Sequence, residues 1–193
     1  MVLSNYHQKY SSLPDEEIAK RANEKRIELV EIFNRLSLSS DSTPIRIAVL
    51  GCGDKRFVKH HKDIFQNLLQ KPVELTTFDI SVDHLNDEED IIQHDCTLPI
   101  SNPPYDITFA HVLLKFIETE KQWELIKNSI DALKNGGLAI HVLDKEDYET
   151  EGTLLANGQY VVPLERWKQK IKKLGLECKE IPIKYGLALV IQK

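Results

Sequence analysis

The sequence has few cysteines and no long apolar run, and these absences exclude several classes of protein. Cys52, Cys96 and Cys178 are the three cysteines in 193 residues. Their odd number and wide spacing form neither a disulfide framework nor a zinc-ligand pattern. No apolar run approaches the roughly 20 residues of a membrane span, and the first residues lack the apolar core of a signal peptide. We therefore expect a cytoplasmic protein without membrane contact and without a metal site.

An excess of basic charge is also lacking. Lysine and arginine number 25 against 30 aspartates and glutamates, which gives a net charge of -5 and no overall field to attract nucleic acid. The local basic run at 168–173 is typical of a solvated helix face. The length and the 41% apolar content predict one compact domain over 1–193, with 1–40 as an N-terminal helical extension. Nucleic acid is not an expected partner.

Short apolar runs alternate with amphipathic segments from residue 45 onward. The runs predicted as strands lie at 45–50, 73–80, 91–94, 106–114 and 138–143. This alternation predicts a parallel sheet with helices on both of its faces. Gly136-Gly137 is interpreted as the stop of the helix before the fifth strand. The segment 176–193 predicts two more strands joined tightly at Lys184-Tyr185-Gly186, so we expect an α/β fold whose seven-stranded, mostly parallel sheet ends in an antiparallel hairpin.

Glycines and acids follow the first three predicted strands, at the edge where such sheets bind ligands. The loop Gly51-Cys52-Gly53 lets the backbone approach a nucleotide closely, although the same glycines also suit a plain tight turn. Asp79, after the second strand, can accept ribose hydroxyls or cap a helix. Asp95, after the third, can accept the exocyclic amine of adenine or serve as a cap or solvated loop residue. Together, in this order, the three predict a nucleotide site.

From about residue 45 to its end, the sequence resembles the class I, Rossmann-like, S-adenosylmethionine-dependent methyltransferases. The likeness rests on IAVLGCG, TTFDIS, QHDCTLP, YDITFAHVLLKFI and LKNGGLAIHVLD. It implies S-adenosylmethionine as cofactor and His111 on the reaction side, as a candidate catalytic base. The cofactor-binding residues that it implies are Gly51, Cys52 and Gly53 at the methionine and ribose, Asp79 with Ile80 at the ribose, and Asp95 with Cys96 at the adenine.

Three features depart from the family pattern. Val49 stands where the family usually has an acid, and Lys55 replaces the third glycine of the loop. A lysine near a sulfonium is unfavourable unless it points to solvent or pairs with an acid. The spacing from Gly53 to Asp79 also exceeds the roughly 20 residues usual in nucleotide-binding units. The run 102–105 spells NPPY but precedes the fourth strand, so we interpret it as a surface turn and not as an amine-binding motif.

The sequence therefore predicts methyl transfer to a small molecule or a protein side chain. We expect the pocket for the methyl acceptor to be formed by the N-terminal helix, the loop 144–162 and the segment Leu114 to Glu118. Tyr6 and Tyr10 are candidates to close this pocket. Val49 and Lys55 favour an alternative, a catalytically degenerate protein of this fold that acts as a binding or regulatory partner. A third hypothesis is a nicotinamide-dependent enzyme, but the missing third glycine of the Gly51 loop disfavours it.

Overall fold

A computed structural model describes residues 12–36, 42–85, 90–155 and 158–193. Its helices are α1 (Asp15–Phe33), α2 (Lys55–Leu69), α3 (Thr119–Asp131), α4 (Lys145–Glu149) and α5 (Leu164–Lys173). Its strands are β1 (Ile45–Leu50), β2 (Val73–Asp79), β3 (Ile91–Gln93), β4 (Tyr105–His111), β5 (Leu133–Asp144), β6 (Glu177–Ile183) and β7 (Gly186–Gln192). Within the described ranges, no helix is long and apolar enough to cross a membrane.

The seven strands form one sheet in the order β3-β2-β1-β4-β5-β7-β6. Neighbouring strands from β3 to β5 are parallel. Strand β7 lies between β5 and β6 and is antiparallel to both. The predicted mostly parallel sheet with its C-terminal hairpin is therefore confirmed, and the hairpin connection is the two-residue turn at Lys184 and Tyr185.

Alternate residues of each central strand pack into two separate cores. In β1, Ile47 and Val49 face a core that also contains Leu29 and Ile32 of α1 and Phe65 of α2. The intervening residues of β1 face the other core, which is closed by α3 and α5. A strand buried on both faces needs apolar side chains at consecutive positions, which explains the apolar run from Ile47 to Leu50 of β1. Helices cover both faces of the sheet, as the sequence predicts.

The interpretation of Gly136-Gly137 as a helix stop is wrong. Helix α3 ends at Asp131, and β5 already includes both glycines. Tyr105 of β4 pairs with Leu133 of β5, and Ile107 pairs with Leu138. An advance of two residues along β4 thus corresponds to five residues along β5. A Cβ on Gly137 would lie 2.9 Å from the carbonyl oxygen of Asp106. The glycines therefore allow an irregular stretch of β5 to approach the backbone of β4 closely.

The buried His141 of β5 predicts a loss of stability in acid. Its ring is 1% exposed, its Nε2 lies 2.9 Å from Ser129 Oγ, and burial lowers the pKa of His141 to about 4. The unfolded chain protonates this group near its ordinary pKa of about 6.5. Unfolding thus takes up a proton between these pH values, and stability rises with pH across that range.

We expect this one group to remove about 3 kcal/mol from the unfolding free energy between pH 7 and pH 4. Urea unfolding at several pH values measures that loss, and His141→Gln should flatten the slope over the same window. An identical slope in the variant and the parent would contradict the assignment.

Candidate active site

Three of the predicted site residues lie in one row at the carboxyl edge of the sheet. Leu50 pairs with Phe78 of β2 and with Ala110 of β4. The next positions along these three strands are Gly51, Asp79 and His111. The sheet register thus brings together a glycine loop, an acid and an imidazole that are far apart in sequence.

The Gly51 loop is a tight strand-to-helix connection. Gly51 has φ +78°, and its N–H donates to the Phe78 carbonyl at 2.7 Å. Asp54 caps α2 by accepting the Arg56 N–H at 2.9 Å. Cys52 is buried, its thiol donates to the Asp54 carbonyl at 3.2 Å, and burial raises the pKa of Cys52 to about 12. Cys52 is therefore a protonated packing group and not a nucleophile.

Asp79 connects the end of β2 to this loop. Its Oδ2 accepts the Cys52 N–H at 2.6 Å, and its Oδ1 accepts the Ser81 N–H at 3.1 Å. The carboxylate is buried, with 5% of the residue exposed. These two bonds hold the carboxylate at the carboxyl edge of the sheet, between the Gly51 loop and the turn that follows β2.

The remaining predicted cofactor residues surround Asp79. Ile80 is 64% exposed, although it is large and apolar. The Asp95 Oδ1 accepts both the N–H and the hydroxyl of Thr97, at 2.9 and 2.7 Å, whereas no described residue donates to its Oδ2. Partial burial raises the pKa of Asp95, but the hydrogen bonds from Thr97 outweigh this effect, so the pKa lies below its ordinary value. Cys96 is buried near Gly51, and burial raises the pKa of its thiol to about 12.

His111 makes a contact that the sequence analysis missed. Its Nε2 lies 2.8 Å from Oε2 of Glu28 in α1. The Glu28 side chain is 8% exposed and that of His111 is 19% exposed. Beside them, the Lys25 ammonium lies 3.9 Å from the centre of the Phe57 ring. Helix α1 therefore supplies a carboxylate and an ammonium to the carboxyl edge of the sheet.

Val49 and Lys55 have different surroundings. Val49 is 1% exposed in the core between the sheet and the helices α1 and α2. Lys55 is the first residue of α2, and its side chain is exposed, so it meets the condition that a lysine in this loop should point to solvent. The departure at Lys55 thus does not place a buried cation in the loop.

Two other sequence features lie elsewhere. The NPPY run 102–105 leads into β4, whose first residue is Tyr105, at the edge of the sheet opposite the Gly51 loop. There, Arg46 donates to the carbonyls of Asn102 and Pro104 at 3.1 and 2.7 Å, which supports the interpretation as a turn. Tyr6 and Tyr10 lie outside the described residues.

The open face of Gly51 is covered by Leu113, a residue of the segment that follows β4. A Cβ on Gly51 would lie 2.9 Å from Leu113 Cδ1. Gly136 has a similar φ of +80° but open space around it. A non-glycine residue with positive φ costs about 1–2 kcal/mol, and crowding adds to that cost.

Gly51→Ala is therefore expected to destabilise the protein by about 2 kcal/mol, against about 1 kcal/mol for Gly136→Ala, since the end of the Leu113 side chain can shift part of the way. Chemical unfolding of both variants measures the difference. In a Leu113→Ala background, Gly51→Ala should cost no more than Gly136→Ala does, and an unchanged excess in that background would contradict the contact.

Comparison with protein-family models finds no match, and no curated protein matches the sequence. Several solved structures are similar in fold. DesVI of Streptomyces venezuelae superposes with a TM-score of 0.70 at 9% identity, over 95% of this chain and 98% of DesVI. An S-adenosylmethionine-dependent methyltransferase of Clostridium acetobutylicum gives a TM-score of 0.64 at 11% identity, over 97% of this chain and 99% of that one.

An O-methyltransferase family protein of Burkholderia thailandensis gives a TM-score of 0.60 at 11% identity over 86% of this chain, which spans only 55% of that protein. At such identities the likeness concerns the fold. The chain thus has the Rossmann-like fold of class I S-adenosylmethionine-dependent methyltransferases, as the sequence predicts.

Proposed function

We propose that this chain transfers a methyl group from S-adenosylmethionine to a small molecule or a protein side chain. The observation that carries the proposal is the bond between Asp79 and the Cys52 N–H. It joins the acid after β2 to the glycine loop after β1, at the edge where open α/β sheets bind ligands. The fold, shared with a solved S-adenosylmethionine-dependent methyltransferase, supports the same assignment.

The residues at this edge suit the adenosine part of the cofactor. Asp79 is a carboxylate at the end of β2, where an acid can accept the hydroxyls of a ribose in charge-assisted hydrogen bonds. The exposed side chain of Ile80 offers an apolar surface for a purine ring. The Oδ2 of Asp95, to which no residue in the described ranges donates, is a suitable acceptor for an exocyclic amine. We expect these three residues to hold the nucleoside.

The cofactor supplies a methyl group that is already activated by its sulfonium, so the protein has to position the reactants and exclude water. The Gly51 backbone permits close approach because it carries no side chain. Leu113 covers that backbone, and we expect its side chain to change rotamer when the cofactor binds. His111 supplies an imidazole at this edge that can take a proton from the molecule to be methylated.

Two observations favour a second function. Leu113 lies over the Gly51 backbone, and Val49 replaces the acid that the family pattern has before the loop. A protein that keeps this fold without catalysis, as a binding or regulatory partner, accounts for both features. Cofactor binding without methyl transfer distinguishes this function from the first.

The test uses S-adenosylmethionine with a deuterated methyl group. The protein is incubated with this cofactor and a mixture of phenols, alcohols, carboxylic acids, amines and peptides, and mass spectrometry detects labelled products. The proposal predicts a labelled product and an equal amount of S-adenosylhomocysteine. A thermal shift with S-adenosylhomocysteine but no product favours the second function, whereas a shift with NAD alone contradicts both.

A further inference from the structure

Glu28 and His111 form a carboxylate–imidazole pair, in which the imidazole can serve as a base. The two side chains are 83 positions apart in sequence, yet Glu28 Oε2 and His111 Nε2 lie 2.8 Å apart. Both side chains are largely shielded from water. Among the described residues, Glu28 alone makes a hydrogen bond to this ring.

The contact determines which nitrogen of the ring carries the proton. An ionised Glu28 has only acceptors, so the hydrogen bond requires Nε2 to be the protonated nitrogen. A neutral His111 then has its lone pair on Nδ1. Glu28 thereby fixes the tautomer and the orientation of the ring, as carboxylates do for histidine bases in other enzymes.

The titratable groups around the ring come from three elements. Lys25 and Glu28 face it from α1, His61 from α2, and Asp144 from the end of β5. Burial, followed by the Lys25 charge, lowers the pKa of His111, while Glu28 and Asp144 oppose that effect. The pKa of His61 is lowered well below its ordinary value, mainly by burial, so this neighbour is neutral. At neutral pH, His111 is thus an uncharged imidazole.

We infer that His111 Nδ1 takes the proton of an acceptor hydroxyl and that Glu28 is its positioning residue. The inference rests on the proposed function and narrows its acceptor to the hydroxyl class. In the step, the O–H bond breaks and its proton goes to Nδ1. An O–CH3 bond forms as the S–CH3 bond breaks, and the electron pair of that bond stays on sulfur. The resulting imidazolium keeps its bond to the Glu28 carboxylate.

The surroundings favour a hydroxyl over an amine. A hydroxyl is a weak nucleophile until it loses its proton, so it gains most from a built base. A neutral amine attacks through its lone pair and becomes cationic as it is methylated. A ring that Glu28 holds in one tautomer therefore speeds the reaction of a hydroxyl more than that of a neutral amine.

The first test needs no cofactor. In the free protein labelled with 15N-histidine, NMR reports the tautomer and the pKa of His111. We expect the Nε2–H tautomer, a lower pKa in Glu28→Gln and a higher pKa in Lys25→Met. Glu16→Gln, an exposed substitution on the same helix, should change neither. The Nδ1–H tautomer, or shifts of equal sign in the two variants, would overturn the pairing.

The second test measures methyl transfer from S-adenosylmethionine to phenols, alcohols and amines of similar size. We expect transfer to hydroxyls, with kcat reduced about 10-fold or more in Glu28→Gln and about 100-fold in His111→Gln. The acid limb of the kcat profile should move to lower pH in Glu28→Gln and to higher pH in Lys25→Met. Transfer to amines alone, or unshifted profiles, would overturn the inference. If S-adenosylhomocysteine binds the parent and no hydroxyl is methylated, the acceptor class is wrong; if it does not bind, the proposed function itself fails.

Discussion

Asp79→Asn is expected to weaken S-adenosylhomocysteine binding by about 30-fold or more. A hydrogen bond to a charged group contributes about 1.5–3 kcal/mol, and 2 kcal/mol corresponds to about 30-fold in affinity. The asparagine keeps the size of the side chain but loses its charge. Its NH2 group also replaces one of the two oxygens that now accept the Cys52 and Ser81 N–H groups. Isothermal titration calorimetry measures the change.

The matched control is Asp83→Asn, which neutralises an exposed acid in the turn that follows Asp79. We expect this variant to bind like the parent. Because Asp79 also supports the Gly51 loop, melting temperatures must show that the Asp79→Asn protein is folded at the assay temperature. A folded Asp79→Asn protein with unchanged affinity would remove Asp79 from the site.

Lys115→Met is expected to lower the unfolding free energy by about 3–5 kcal/mol, since it leaves a buried carboxylate without its counter-ion. The ammonium of Lys115 lies 2.7 Å from Asp144 Oδ2, 3.1 Å from Asp147 Oδ1 and 3.6 Å from Glu146 Oε1. The Lys115 side chain is 8% exposed and that of Asp147 is fully buried. Urea unfolding of the variant measures the loss.

Lys127→Met is the control for this substitution. Lys127 pairs with Asp131 one turn along α3, and both side chains are exposed. Such surface pairs contribute about 0.5 kcal/mol or less, so we expect a loss no larger than that. A loss below about 1 kcal/mol for Lys115→Met would mean that Asp147 is neutral or solvated when the lysine is absent.

Strand positions were predictable because burial on both faces of a parallel sheet leaves short runs that are mostly apolar. The run 45–50 is β1 itself, and the acid that ends the next run is the last residue of β2. Since ligand sites of such sheets lie at the carboxyl edge, the location of Gly51, Asp79 and His111 in one row also followed from the sequence pattern. Their roles toward a cofactor remain predictions.

The contacts of His111 and Lys115 could not be predicted from local pattern. Glu28 is one of several acids in a charged helix, and only its burial against the sheet separates it from the solvated ones. Likewise, Lys115 lies in a short turn after β4, and the acids that it contacts lie at and just after the end of β5, about 30 residues later in the sequence. Gly137 was misread because a glycine after a helix usually ends it, whereas here it meets the backbone of β4.

The account depends most on whether the edge formed by the Gly51 loop and Asp79 binds an adenosyl cofactor. Isothermal titration of the parent protein with S-adenosylhomocysteine tests this directly, because the product binds without any acceptor and without turnover. We expect saturable binding at one site per chain, lost or strongly weakened in Asp79→Asn. No heat and no saturation at millimolar S-adenosylhomocysteine, with the protein folded, would contradict the account.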